Sequence, residues 1–386
     1  MAADESGWKP LHRCAYMNDI KSVEGLLQND PSLAKQGDDN ELTPLAIAAY
    51  NGHMEIMEML LPHSDVNAKD SNHRTALHWA AFMDKPQAVE RLLRVENIDV
   101  NIQAKNGLTA LHMGVASNAK EVVELLIKKE VIKLDVGDEN KLTPLHWGGI
   151  RGFTEVVGLL KDADQNAPDK IGKTPLQWAA TNGHTEIIKK MKEVESTNVD
   201  ALDEKNRTAL YWAAYNGNTE SVKALLEASA DINARDNKGL TALHVAATNE
   251  HKAILELLIE HKVDVNVHDE FERIALHWCS YMAYPEIVKL LLDARSDINV
   301  QDKDGYTPLH WATMAGDGAI VQLLLEKNSN VDLKDKRNRT ARDLAFSLDY
   351  KGIVDSIDNY GASTSGAAGG STGDVDIEDP LAMSTD

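Results

Sequence analysis

Seven histidines, His12, His78, His112, His146, His244, His277 and His310, stand at a regular register in this chain. Imidazoles in such number could ligate a metal or relay protons. Their spacing argues against both. Neighbours fall about one 33-residue period apart, whereas zinc ligands must converge within about 2.1 Å of one ion. Cys14 and Cys279 sit where other copies of the period place alanine or glycine, as small buried residues would. His277 is close to Cys279 in sequence, but it belongs to the repeating set and not to a nucleophile–base pair. No Gly-rich phosphate loop, His-Glu-x-x-His, Gly-x-Ser-x-Gly or Cys-x-x-Cys pattern occurs. The expectation is a chain with no catalytic residue, no cofactor and no metal.

Composition narrows the partners. The formal net charge is −21, with 43% hydrophobic and 26% charged residues. Such a balance disfavours nucleic-acid phosphates and anionic membrane surfaces. No run approaches the roughly 18 apolar residues of a membrane span. Two cysteines give no disulfide framework. The start, Met-Ala-Ala-Asp-Glu-Ser, is acidic where a secretory signal is basic and then apolar. These features suggest a soluble protein of the cytoplasm, with the nucleus as a further location.

The elements that must position these side chains are copies of one phrase. It reads Thr-Pro-Leu-Ala from Thr43, Thr-Ala-Leu-His from Thr75, Thr109 and Thr241, and Thr-Pro-Leu-His from Thr143 and Thr307. Variants start at Thr174, Thr208, Ile274 and Thr340, and a worn first copy at Lys9, making eleven copies. Threonine is a good helix N-cap and proline suits the first helical position. Small pairs such as Ala48-Ala49 and Ala213-Ala214 let helices approach closely. Asn-Gly at 51–52, 182–183 and 216–217 can end a helix through a left-handed glycine. A second amphipathic helix follows, such as Ile287 to Leu292, then Asp-Val/Ile-Asn and a polar turn. Trp79, Trp147, Trp178, Trp212, Trp278 and Trp311 share one register and are expected to pack in the core.

The period, the Thr-Pro-Leu-His phrase and the helix–turn–helix–hairpin order resemble ankyrin repeats, over about residues 5 to 360. The resemblance implies an all-α solenoid of stacked helix pairs with β-hairpin loops and a concave groove. It also implies that the histidines bond backbone between repeats. One repeat domain over 1–360 is expected, its first and last copies acting as caps, followed over 361–386 by a disordered Gly/Ser/Ala linker and acidic tail. Copy nine, lacking the threonine cap at Ile274, and copy five, with Gly148-Gly149 in a helix, are expected to be locally weak.

In such repeats the variable positions face partners. One set ends the first helix, and Tyr50, Phe82, Ile150, Tyr215, Tyr281 and Met314 are its large members. The other precedes the phrase and includes Arg74, Arg207, Arg273, Tyr306 and Arg339, with no acid in it. Aromatic and arginine side chains dominate interface hot spots. The expected function is a non-enzymatic, monomeric scaffold or adaptor that binds another protein through an acidic–apolar segment. The rival is a regulatory subunit that inhibits or delivers an enzyme. The resemblance further implies asparagine hydroxylation at Asn101, Asn233, Asn266 and Asn299, each preceded by leucine at the eighth position before it.

Overall fold

The helices follow from the caps. Thr43 Oγ1 accepts from Ala46 N at 3.2 Å and Pro44 opens the helix Pro44–Asn51. Each first helix then stops at a residue in the left-handed region. This is Gly52 (φ 76°) in one copy and Gly316 (φ 73°) in another, but Asp84 (φ 50°), Glu250 (φ 59°) and Ala283 (φ 60°) elsewhere. The turn geometry is therefore imposed by the repeat even where the residue resists it. Glu272 likewise takes φ 62° at a hairpin tip that is glycine in other copies, such as Gly305 at φ 82°.

A computed structural model describes residues 7–364, and side chains as far as residue 361. Among the described residues there are 22 α-helices and no β-strand. They are antiparallel pairs such as Pro44–Asn51 with Met54–Leu60, and Ala275–Tyr281 with Pro285–Asp293. Residues up to Ala209 with Ala224–Ala230 form one compact unit, and Leu210–Lys223 with the residues from Asp231 form a second. Within each unit, successive first helices pack on one another, and successive second helices do the same. The core is built from positions such as Leu45, Ala48 and Ala49 in the first unit and Leu276, Cys279 and Leu291 in the second, all 0% exposed.

The expected β-hairpins are hairpin-shaped loops. Neighbouring tips share single backbone bonds, such as Ser71 N to Asn40 O (2.7 Å) in the first unit and Lys303 N to Phe271 O (2.9 Å) in the second. One bond per neighbour builds no ladder, which is why no strand forms. The last helix, Lys351–Thr364, runs through 361–364, which the sequence reading placed in the linker. The acidic tail lies outside the described residues. The last copy carries Arg342, paired with Asp358 at 2.5 Å, on its end face, yet Phe346 there is 61% exposed.

Packing compensates for the residues that set copies five and nine apart. Ile274 lacks a capping oxygen, but its amide still bonds His277 Nδ1 at 3.1 Å and its side chain is fully buried. At Gly149 a Cβ would stand 2.6 Å from the Pro175 carbonyl oxygen, so the glycine permits close approach of the next helix. Helix propensity alone would have Gly149→Ala gain about 1 kcal/mol. The packing predicts instead a loss of about 1–3 kcal/mol, as for other overfilled cores. Urea denaturation of the variant decides the sign; a gain would mean the two helices can separate freely.

Candidate protein-binding face

The base of most hairpins is organised by an aspartate, Ala104 being the exception. Asp70 Oδ1 accepts from the amides of Asn72 (2.8 Å) and Arg74 (2.9 Å). Its Oδ2 takes Arg74 Nε (3.0 Å) and the indole N–H of Trp79 (3.2 Å). Asp269 repeats this with Arg273 Nε at 2.8 Å and Trp278 Nε1 at 3.3 Å. In both copies the guanidinium also lies 4.0 Å from the indole centroid, a cation–π contact. Asp203–Arg207 and Asp335–Arg339 pair in the same way, each with an Nε–Oδ2 contact within 2.9 Å.

This corrects the sequence reading of the arginines. Side-chain exposure is 27% for Arg74, 18% for Arg207 and 11% for Arg273 and Arg339. They are neutralised inside the protein, and Arg339 Nη2 additionally donates to the Tyr306 hydroxyl at 2.9 Å. The charge argument for an acidic partner segment at these positions falls with them. Lys173, in the same register, lies 4.4 Å from the Trp178 centroid. Its burial, with Arg207 nearby, pushes its ammonium down to about 8. Trp79, Trp278 and Trp311 are buried as expected, whereas Trp147, Trp178 and Trp212 are half-buried, and the N–H groups of Trp79, Trp147, Trp178, Trp278 and Trp311 also hold the hairpins. The spacing Asp-x3-Arg-x4-Trp was visible in sequence and carries this signal.

The first-helix positions behave differently. In the first unit Phe82 is 47% exposed, while Tyr50 is half-buried, edge-on to Trp79 at 5.6 Å. Ile150 is half-buried, and its carbonyl accepts from His184 Nε2 at 3.1 Å. In the second unit Tyr215 is 46% exposed and Tyr281 is half-buried, edge-on to Trp311 at 5.5 Å. Met314 is half-buried. At this position Phe82 and Tyr16 in the first unit and Tyr215 in the second are the exposed rings, and Tyr50 and Tyr281 are half-buried.

The histidines join consecutive copies. His78 Nδ1 accepts from Thr75 N at 3.1 Å, so the proton resides on Nε2, which donates to Leu108 O at 3.1 Å. His112 does the same with Thr109 N and Leu142 O, and His277 with Ile274 N and Tyr306 O. In these three both ring nitrogens are committed, whereas His244 Nε2 is buried without a partner. Burial pushes His78, His112, His244 and His277 down to about 4, so they are neutral at pH 7.

Cys279 is fully buried, and that burial raises its thiol pKa. No group of three or more metal-capable side chains exists among the described residues, and none of their helices is long and apolar enough to cross a membrane. Asn101 bonds the next turn at both ends, through Nδ2 to Val131 O (2.8 Å) and through Oδ1 from Lys133 N (2.9 Å). Asn233, Asn266 and Asn299 accept from Asp264, Asp297 and Asn330 amides. All four therefore have a structural job in the hairpins.

The family model for ankyrin repeats (three copies) matches residues 11–104, 84–169, 151–236, 229–302 and 276–364. The chain belongs to the ankyrin-repeat family, and its repeats form a protein-interaction domain. Among curated proteins it is 36% identical over 86 residues to the human transient receptor potential cation channel subfamily A member 1, covering 22% of this chain and 8% of that protein. It is 37% identical over 86 residues to a probable E3 ubiquitin-protein ligase of Oryza sativa subsp. japonica, covering 22% of this chain and 19% of that protein. To the human NAD-capped RNA hydrolase NUDT12 it is 37% identical over 73 residues, covering 19% of this chain and 16% of the hydrolase. The matched stretch thus spans less than a fifth of each of these relatives. A channel, a ligase and a hydrolase share only such a stretch with it.

Proposed function

We propose that this chain is a non-enzymatic scaffold or adaptor that binds a partner protein along the ends of its first helices, in the cytoplasm or nucleus. The observation that supports this reading best is the pair of solvent-facing rings, Phe82 at 47% and Tyr215 at 46% exposure, at the same repeat position in the two units. Neither ring is needed to fill the core, and exposed rings at a repeating position are what an interface uses as anchors. Phe82→Ala and Tyr215→Ala are each expected to weaken a purified partner by about 2 kcal/mol or more. Their melting temperatures should stay at that of the parent chain. Equal affinity for parent and both variants, measured by calorimetry, would remove this face from the interface.

A further inference from the structure

We propose that residues 374–381, the acidic–apolar stretch Asp-Val-Asp-Ile-Glu-Asp-Pro-Leu, fold back onto the end face of the last repeat as its cap, a contact separate from the binding face above. That end face is open on an apolar side. Phe346, on the first helix of the last pair (Ala341–Ser347), is 61% exposed. In the ten earlier copies its position holds Ala, Val, Gly, Ser or Thr, and every one of these is buried. Gly149 shows where the position points, since a Cβ there would meet the Pro175 carbonyl of the next copy. Val354, on the second helix Lys351–Thr364, is half-buried, whereas its counterparts Val288 and Val321 are 0% exposed. At both positions the exposure is what a following layer would have removed.

Room and charge select the occupant. Helices pack at about 8–10 Å, a separation set by the side chains at the contact. A phenyl ring where every earlier copy has a small residue bars a further helix pair, and with it a second copy stacked end to end as one more layer. An extended segment needs no such approach and can lay alternate side chains across the ring. Residues 334–342 hold five bases and one acid, in a chain of net charge −21. Arg339 and Arg342 are taken by Asp335 and Asp358. Lys334 and Lys336, in the hairpin of this last layer, are exposed and form no ion pair among the described residues. Residues 374–381 carry four acids, no base, and the apolar Val375, Ile377 and Leu381. Asp374, Asp376 and Glu378 alternate with Val375 and Ile377, so an extended chain turns acids to one side and apolar groups to the other.

Reach suffices. The last helix ends at Thr364, and nine residues of Ser, Gly, Ala and Thr lead from it to Asp374. A Gly/Ser-rich chain of that length spans about 15–18 Å on average and about 30 Å when drawn out. The helix has 14 residues, so its start, just after Ser347 in the chain, lies about 20 Å back from Thr364. The tether gives the segment an effective concentration in the millimolar range, so a weak intrinsic contact is enough.

Hydrogen exchange of the full chain, read over residues 341–361, tests the contact. A tethered segment at a few times its Kd slows opening of the last pair by roughly 3- to 10-fold. Val375→Ser with Ile377→Ser should therefore speed exchange there by that factor and leave the earlier repeats unchanged. In a Phe346→Ala background the same two changes should have no effect, because the surface they meet is gone. Phe346 is exposed, so its replacement leaves a folded chain for the comparison. No acceleration in the parent background, or equal acceleration in both, would overturn the proposal. So would protection that rises with protein concentration, which would place a second copy on this face.

Discussion

Asp269→Ala is expected to destabilise the second unit by about 3–5 kcal/mol, the range for removing one partner of a buried ion pair. Asp269 is 4% exposed and serves four donors. Its loss strands the guanidinium of Arg273, itself 11% exposed, the indole N–H of Trp278, and the amides of Phe271 and Arg273. Asp138 supplies an internal comparison. It holds its hairpin amides and Trp147 Nε1 at 3.2 Å, but the position of the arginine is Leu142. Asp138→Ala strands no cation and Asp138 is only half-buried, so a loss of about 1–3 kcal/mol is expected, that of its hydrogen bonds alone. Urea unfolding followed separately in each unit, for instance by hydrogen exchange, reads both. Equal losses at the two sites would show that the guanidinium contributes nothing to the difference.

Acid should unfold the repeats well before it protonates ordinary carboxylates. His78, His112, His244 and His277 are held at about 4 in the folded chain, against an ordinary value of 6.5. Between those two values the unfolded chain binds protons that the folded chain refuses. The histidine contribution is therefore fully present above about pH 6.5 and is lost as pH falls toward 4. Each histidine withdraws up to about 1.4 kcal/mol per pH unit, or about 3 kcal/mol over the window. Asp302, whose burial raises its carboxyl, works in the opposite sense at the acid end. The chain carries its own pH-insensitive substitute. At the same repeat position Gln177 Oε1 accepts from Thr174 N at 2.9 Å, and its Nε2 donates to Arg207 O at 2.7 Å. His78→Gln with His112→Gln should thus keep both sets of bonds at pH 7 and flatten the acid slope of the first unit by about two protons. An unchanged slope in urea titrations from pH 7 to 4.5 would show that these imidazoles are not the groups refusing protons.

The repeat, its period and the roles of its phrase were legible in sequence because each acts locally. Threonine caps its own helix, proline starts it, and a residue eight places on from proline takes the left-handed turn. These are contacts within one or two turns of chain, and eleven copies in phase leave little room for another fold. The all-α solenoid and the role of the histidines between copies came from the resemblance to ankyrin repeats that this phrase carries.

The fate of the charges did not. Arg74 and Arg273 read as exposed basic groups because their position is variable, yet tertiary packing lays each across a tryptophan and onto an aspartate four residues back. Gly149 read as a weak helix residue, but the carbonyl of Pro175, 26 positions later in sequence, occupies the space of its missing side chain. A cleft beside Tyr50 joins Trp8 to Trp79 across three copies, where no sequence window brings them together. Sequence alone determined which elements form and how they repeat, since local hydrogen bonds and periodic burial decide that. Only the tertiary structure decided which cations are already paired, because pairing depends on what the fold places within about 4 Å of a charge.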